Sequence, residues 1–330
     1  MTLYLSEADV QRLLTMPLAL DSIERAMQDH ALGRAIDIPR VRANATIGAL
    51  RILQASSPEL GYLGFKYGYL QPGRRSSYVH LINIKTARLE AIIDSDWMGM
   101  MRTGAASGIA ARYLAAPGAT LLGQLGAGRQ ACGQLEAVCV ALNIRKAQVY
   151  SPTRSRLEAF CAVMARKLGI EVIPAASGAA ALQGAQVVNV ITASAEPVLQ
   201  GQWLQPGQHV NAAGSTSFLR RELDVEAVRR CNVITVDTRA TARLECGDLL
   251  HAVEAGRLAW DALPEIGEVI TGRAPGRTSP RQITLYESMG MGVQDLYVGV
   301  TVLELARAAG IGTPLPLAAP ADSERVINTC

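Results

Sequence analysis

The segment from Ala119 to Ala137 reads ATLLGQLGAGRQACGQLEA: an apolar run, a cluster of glycines, then apolar residues at helical spacing. A strand that passes through glycines straight into a helix constrains the rest of the chain more than any other feature. Within it, Gly126-Ala127-Gly128-Arg129-Gln130-Ala131 has the form GxGxxA. In that pattern Gly126 permits the tight turn, Gly128 lets backbone approach a phosphate, and Ala131 lets helix and strand pack closely. The helix N-terminus then offers free N–H groups and a partial positive charge to a pyrophosphate. The turn lies a third of the way along, so the residues before it must form a separate structure on the substrate side.

From Ala119 onward strands alternate with helices. Strands are expected at 119–124, 147–151, 171–174, 186–192, 208–213 and 232–236, and the helices between them include 129–142 and 155–168. Six such units, with a glycine turn after the first, predict an α/β fold with a Rossmann-type doubly wound parallel sheet. The earlier residues read differently. Ser6-Glu7-Ala8-Asp9 is a capping signature, followed by Val10, Leu13, Leu14, Leu18, Leu20, Ile23 and Met27 at helical spacing. Pro17 splits this stretch into two helices. Residues 40–95 are short strands punctuated by Gly and Pro, as in an antiparallel or mixed sheet. A small-residue helix is expected at 98–115, and a helix at 291–309 that crosses back to the first part. The closing Pro-, Ala- and Gly-rich stretch is expected to be loosely ordered.

Composition narrows the class. A chain of 330 residues with 49% hydrophobic and 18% charged residues suits two α/β cores. A net charge of +3, dispersed along the chain, argues for neither nucleic acid nor membrane surface as a partner. No apolar run approaches membrane-span length, and the N-terminus alternates charged and apolar residues, unlike a signal peptide. Cys132, Cys139, Cys161, Cys231, Cys246 and Cys330 form no CxxC pair and read as reduced thiols of a cytoplasmic protein. His30, His80, His209 and His251 lack metal-ligand spacing, so no metal is expected. No GxSxG elbow supports a hydrolase.

The residues after the second strand bear on the choice of dinucleotide. A site for NAD places an acid there, against the ribose hydroxyls. The stretch Val149 to Arg156 has none; Ser151 and Thr153 beside Arg154 suit a 2′-phosphate, which favours NADP over NAD. The alternative is that Arg154 and Arg156 are ordinary exposed residues at a helix start. Thr192, closing the strand 186–192, joins Gly126, Gly128, Gln130, Ala131, Ser151, Thr153 and Arg154 as the expected cofactor-binding set.

On the substrate side, only four lysines occur in the chain. Lys66 lies mid-strand in LGFKYGY, either facing solvent or pointing inward, where burial would lower its pKa and suit it to proton transfer. Arg40, Arg51 and Arg102 are the candidates for binding a carboxylate, which the arginine fork suits.

These pieces together resemble the ornithine cyclodeaminase/mu-crystallin family over nearly the whole chain. The carriers are GFKY around Lys66, MRTGAASGIAARYLA at 101–115, GAGRQA at 126–131, NAAGSTSFLRRELD at 211–224, and IGEVITGRAP with ITLYESMGMGVQD, ending at Asp295. The resemblance implies a substrate-binding and dimerisation domain from residues 1–117 with 295–330, a Rossmann domain at 118–294, and a homodimer. It implies a nicotinamide cofactor, NAD or NADP, and hydride exchange at the α-carbon of an amino or imino acid. The family's catalytic lysine falls on Lys66, its helix arginine on Arg102, and its N-terminal carboxylate ligand on Arg40. Arg51 matches the alanine dehydrogenase branch, where cyclodeaminases carry a glutamate. Thr216 stands where cyclodeaminases carry an aspartate. Both departures count against ornithine cyclodeamination. Arg51, Thr216 and Asp295 join Arg40 as the expected substrate-binding set. The reading is an amino acid dehydrogenase or ketimine reductase. The alternatives are an ornithine or lysine cyclodeaminase that releases ammonia, and a non-catalytic crystallin-like binding protein.

Overall fold

The computed structural model describes residues 1–317. Cys330 and most of the closing Pro- and Ala-rich stretch lie outside the described residues, as does the end of the expected 295–330 segment.

The first part opens with β1 (Thr2–Leu5), α1 (Glu7–Leu13) and α2 (Met16–Ala31). The Ser6 hydroxyl accepts the Asp9 N–H and the Asp9 carboxylate accepts the Ser6 N–H, a reciprocal cap that starts α1. Pro17 sits in the first turn of α2, where its missing N–H costs nothing. A meander of β2 (Ile36–Ala45), β3 (Gly48–Ser57), β4 (Tyr62–Gln71), β5 (Arg74–Asn83) and β6 (Leu89–Asp94) follows, then α3 (Asp96–Leu114). The meander is antiparallel throughout, and β1 adds to β6 in parallel, so the sheet is mixed.

The second part alternates β7 (Leu121–Leu125), α4 (Arg129–Leu142), β8 (Lys146–Tyr150), α5 (Arg154–Leu168), β9 (Glu171–Pro174), α6 (Gly178–Leu182), β10 (Val187–Val190) and β11 (His209–Ala212). Next come α7 (Val225–Arg230), β12 (Val233–Val236), α8 (Arg239–Glu245), α9 (Gly247–Glu254), α10 (Ile266–Ile270) and β13 (Thr284–Glu287). All strand pairs here are parallel, in the order β12-β13-β11-β10-β7-β8-β9. This is the doubly wound sheet with one strand more than its sequence pattern predicts. The extra strand, β13, enters between β11 and β12 after an excursion of short helices. No strand–helix alternation announces it.

The chain then returns through α11 (Gly292–Ala309) to the first sheet, where β14 (Thr313–Leu315) pairs with β1. Leu296, Val300 and Leu303 of α11 share one core with Ile23 and Met27 of α2, Leu81 of β5 and Ile93 of β6. The small-residue helix α3 packs against α4 almost backbone to backbone. A Cβ on Gly104 would lie 2.2 Å from the Gly133 carbonyl oxygen, and one on Gly133 would lie 2.6 Å from that of Met100. Glycine at both positions lets α3 lie directly on the helix that follows the glycine turn. No helix among the described residues is long and apolar enough to cross a membrane.

Candidate active site

In the parallel sheet the strand order reverses between β7 and β10, and ligands bind in the crevice beyond the carboxyl ends of strands at such a point. The glycine turn sits there. Gly126 has φ +113°, and a Cβ on it would lie 2.1 Å from the Ile191 carbonyl oxygen, so both conformation and space require glycine. Among the described residues, Gly128 caps α4 with no side chain bonded to the helix N-terminus, and a Cβ there would meet nothing within 4 Å. The first N–H groups of α4 therefore face open cleft. Gln130 lines the same cleft, and its buried Oε1 has no partner among the described residues. Ala131 is fully buried where helix meets sheet. Beneath the turn, Gln124 donates to the carbonyls of Gly126 (3.2 Å) and Ala131 (3.4 Å) and accepts from Asn189 (3.3 Å). An uncommitted helix end above an open glycine cradle fits a dinucleotide pyrophosphate.

The opposite wall comes from the meander. In β4 the inward face is Tyr62, Gly64, Lys66 and Gly68, as strand alternation requires. Lys66 pairs in register with Leu53 of β3 and Val79 of β5 and points inward. Its Nζ lies 3.1 Å from Asp295 Oδ1. The same oxygen lies 3.2 Å from Arg102 Nε, while Arg102 donates to Gln294 Oε1 at 2.9 Å. Burial pushes the Lys66 ammonium down to about 8; Asp295 opposes the shift, and the Arg102 and Arg40 charges add to it.

Arg40 stands at the register break between Ile38 and Val41 of β2. Its guanidinium donates to Glu245 Oε2 (2.6 Å) and to the Met289 carbonyl (2.7 Å). The other oxygen of Glu245 pairs with Arg42 at 2.5 Å. Arg42 and Arg51 are cross-strand neighbours, like charges whose proximity this buried glutamate moderates. Arg51 lines the cleft, and its buried Nε has no partner among the described residues. Thr216 also lines the cleft, its carbonyl accepting from Arg42 at 3.1 Å. At the mouth, Asp96 is held between Arg75 and Arg129.

One cleft of about 450 Å³ thus brings together Arg40, Arg51, Lys66, Arg102, Gly128, Gln130, Thr192 and Thr216. Asp295, expected among the substrate ligands, does not line this cleft. It is 1% exposed and stands behind Lys66 and Arg102, because the N-terminus of α11 meets β4 and α3 from the far side. Gly126 forms the turn beneath the cleft without lining it. Ser151, Thr153 and Arg154 lie at the end of β8, outside this cleft, and exposed Arg154 pairs with Glu158 on its own helix at 2.5 Å. Residues that sequence reasoning missed are Glu245, Gln294 and the Arg75–Asp96–Arg129 cluster. Each acts through a partner distant in sequence: Arg129 and Gln294 lie inside quoted motifs, but nothing local to those motifs names Asp96 or Arg102 as the partner.

A switch-point glycine turn facing a cation-lined wall across one cleft defines a dinucleotide-binding protein with a second domain suited to a small anion. The family model described as the ornithine cyclodeaminase/mu-crystallin family matches residues 1–310, and the chain belongs to that family. It is 31% identical over 323 residues to the alanine dehydrogenase of Archaeoglobus fulgidus, covering 95% of this chain and 98% of that one. The structure of the Thermococcus litoralis Delta(1)-pyrroline-2-carboxylate reductase in complex with NADH and L-proline superposes with a TM-score of 0.91 at 31% identity, covering 95% and 100% of the two chains. An archaeal alanine dehydrogenase dimer with bound NAD gives 0.89 at 30% identity, covering 96% and 99%.

Proposed function

We propose that this protein is an NAD(P)-dependent oxidoreductase that moves hydride to or from the α-carbon of a 2-amino or 2-imino acid, cyclic imines included. The observation that carries this reading is the placement of Lys66 and Arg102, braced by Asp295, across one cleft from the open glycine turn. When bound, the reduced nicotinamide supplies a hydride to the C=N carbon. Arg51, with its unpartnered Nε, takes the substrate carboxylate, and Arg102 adds a second donor from α3. Arg40, already bonded to Glu245 and Met289, contributes charge rather than a free fork. Lys66 delivers the proton to the imine nitrogen and removes it in the reverse direction. Thr216 borders the substrate's side chain. Similarity to an alanine dehydrogenase and a pyrroline-2-carboxylate reductase supports this substrate class.

The cleft favours reduction or dehydrogenation over cyclodeamination. Among the described residues that line it, the only carboxylate is Asp96, and that is held between two arginines at the mouth. A distal ammonium would find no free acid. For the cofactor, Ser151, Thr153 and Arg154, with no acid at the end of β8, favour a 2′-phosphate and hence NADP; Glu158 must release Arg154 for it to engage. The protein works as a cytoplasmic homodimer in this reading, in keeping with the archaeal alanine dehydrogenase dimer.

The test is a screen with NADPH and NADH against a cyclic imino acid, 2-oxo acids with ammonia, and ornithine. Loss of reduced cofactor with an imine or a 2-oxo acid plus ammonia is expected. Ammonia released from ornithine without net cofactor change would establish cyclodeamination instead. Cofactor binding with no turnover of any of these would establish a binding protein.

A narrower expectation concerns Arg51. Arg51→Met should raise the KM for the carboxylate substrate by about 10- to 100-fold, the loss of one charge-assisted contact. The cofactor dissociation constant should stay unchanged. An unaltered KM, measured by initial rates at saturating cofactor, would remove Arg51 from the substrate site.

A further inference from the structure

Glu222 lies between β11 and α7, fully buried, and has no part in the reaction proposed for the cleft. Its Oε1 accepts from both the backbone N–H (2.5 Å) and the hydroxyl (2.7 Å) of Thr192. Its Oε2 accepts from the backbone N–H of Gly214 at 2.6 Å. Its own backbone is equally committed: the N–H donates to Asp248 Oδ1 (2.6 Å), and the carbonyl accepts from Val198 (2.8 Å) and Leu199 (2.9 Å). A carboxylate this deep is tolerated only with its lone pairs taken up.

Thr192 and Gly214 are the residues that matter here. They follow β10 and β11, adjacent strands whose paired register ends at Val190 and Ala212. Past that point the carboxylate of Glu222 joins the two chain ends. Both ends line the cleft, through Ile191, Thr192 and Ala193 on one side and Ala213 and Gly214 on the other. A dinucleotide whose pyrophosphate rests on the turn after β7 has its adenosine end toward β8. Its other end must then cross the ends of β10 and β11 to reach Lys66. We propose that Glu222 is a positioning residue for the nicotinamide end of the cofactor, holding together the two strand ends on which that end rests. This rests on the dinucleotide reading of the cleft.

The test separates the two ends of the cofactor. Glu222→Gln keeps the volume but turns an acceptor into a donor, so it cannot serve both Thr192 and Gly214. Calorimetric titration with NADPH should show a dissociation constant raised about tenfold or more, because charge-assisted hydrogen bonds to the seat are lost. Titration with ADP-ribose, which lacks the nicotinamide, should match the wild type within about twofold, a difference near RT. Gly214→Ala supplies a second route: a Cβ there would lie 2.4 Å from both Glu222 Oε2 and the Thr192 carbonyl oxygen, and so would part the two strand ends with the carboxylate still present. The same pattern is expected. Equal weakening of both ligands would mean a purely structural role and overturn the proposal, as would no weakening of either. A wild-type protein that binds neither ligand would overturn the dinucleotide reading itself, and this inference with it.

Discussion

Replacing Lys66 by methionine is expected to lower turnover of an imino acid by about 100- to 10,000-fold, the range for removing a general acid. Cofactor binding should survive, because Lys66 is on the meander and the glycine turn is on the other wall of the cleft. Methionine keeps the length of the stem, so the packing against Leu53 and Val79 is preserved. Asp295 retains Arg102 as its counter-charge, which limits the cost of removing one partner from a buried cluster. Single-turnover absorbance and a cofactor titration would read the two effects separately. A variant with wild-type turnover would show that another group moves the proton.

The pH profile gives this assignment a sign. Reduction needs the ammonium form of Lys66, and burial sets its pKa at about 8. The reductive rate should therefore be highest below about pH 8 and fall tenfold per pH unit above it. The oxidative direction needs the free amine and should rise through the same range. Asp295 favours the ammonium, so Asp295→Asn should move both breaks to lower pH. A break that stays in place would mean that Lys66 does not set the profile.

Much of this site is legible in the amino-acid order because its parts lie in local patterns. GxGxxA after an apolar strand specifies its own turn, since Gly126 at positive φ and Ala131 against the sheet are requirements of one short segment. Lys66 is also local in one respect: alternation along β4 decides which residues share its face. Which face turns inward is not local. It depends on α3 and α11 closing over that side of the meander. Asp295 illustrates the limit, since its motif marks it as important but only the return of α11 sets its carboxylate against Lys66 and Arg102. Glu245 and Glu222 were further out of reach. Arg40, Arg42 and Thr192 come from other elements, and although Gly214 shares the segment of Glu222, no spacing rule joins the partners. The three strands absent from the sequence pattern, β1, β13 and β14, have the same cause. β1 pairs with β6 and β14, and β13 with β11 and β12, each only a few residues long and each ordered by distant neighbours.

The glycine turn carries the other large expectation. Gly128→Val should weaken cofactor binding by about 100-fold or more, the loss of two or three charge-assisted contacts between helix N–H groups and phosphate. The fold should be untouched. Gly128 has φ −87°, which valine adopts without strain, and its Cβ would enter open space. Thermal unfolding without cofactor should therefore match the wild type, while the rise in Tm on adding cofactor disappears. Gly126→Ala provides the contrast. Its Cβ would collide with the Ile191 carbonyl at positive φ, so that variant should lose stability as well as binding. If Gly128→Val binds cofactor like the wild type, the phosphates do not pass over this turn. The cleft would then need another occupant. If the two variants behave alike in the absence of cofactor, Gly128 has a structural role that its open surroundings do not explain.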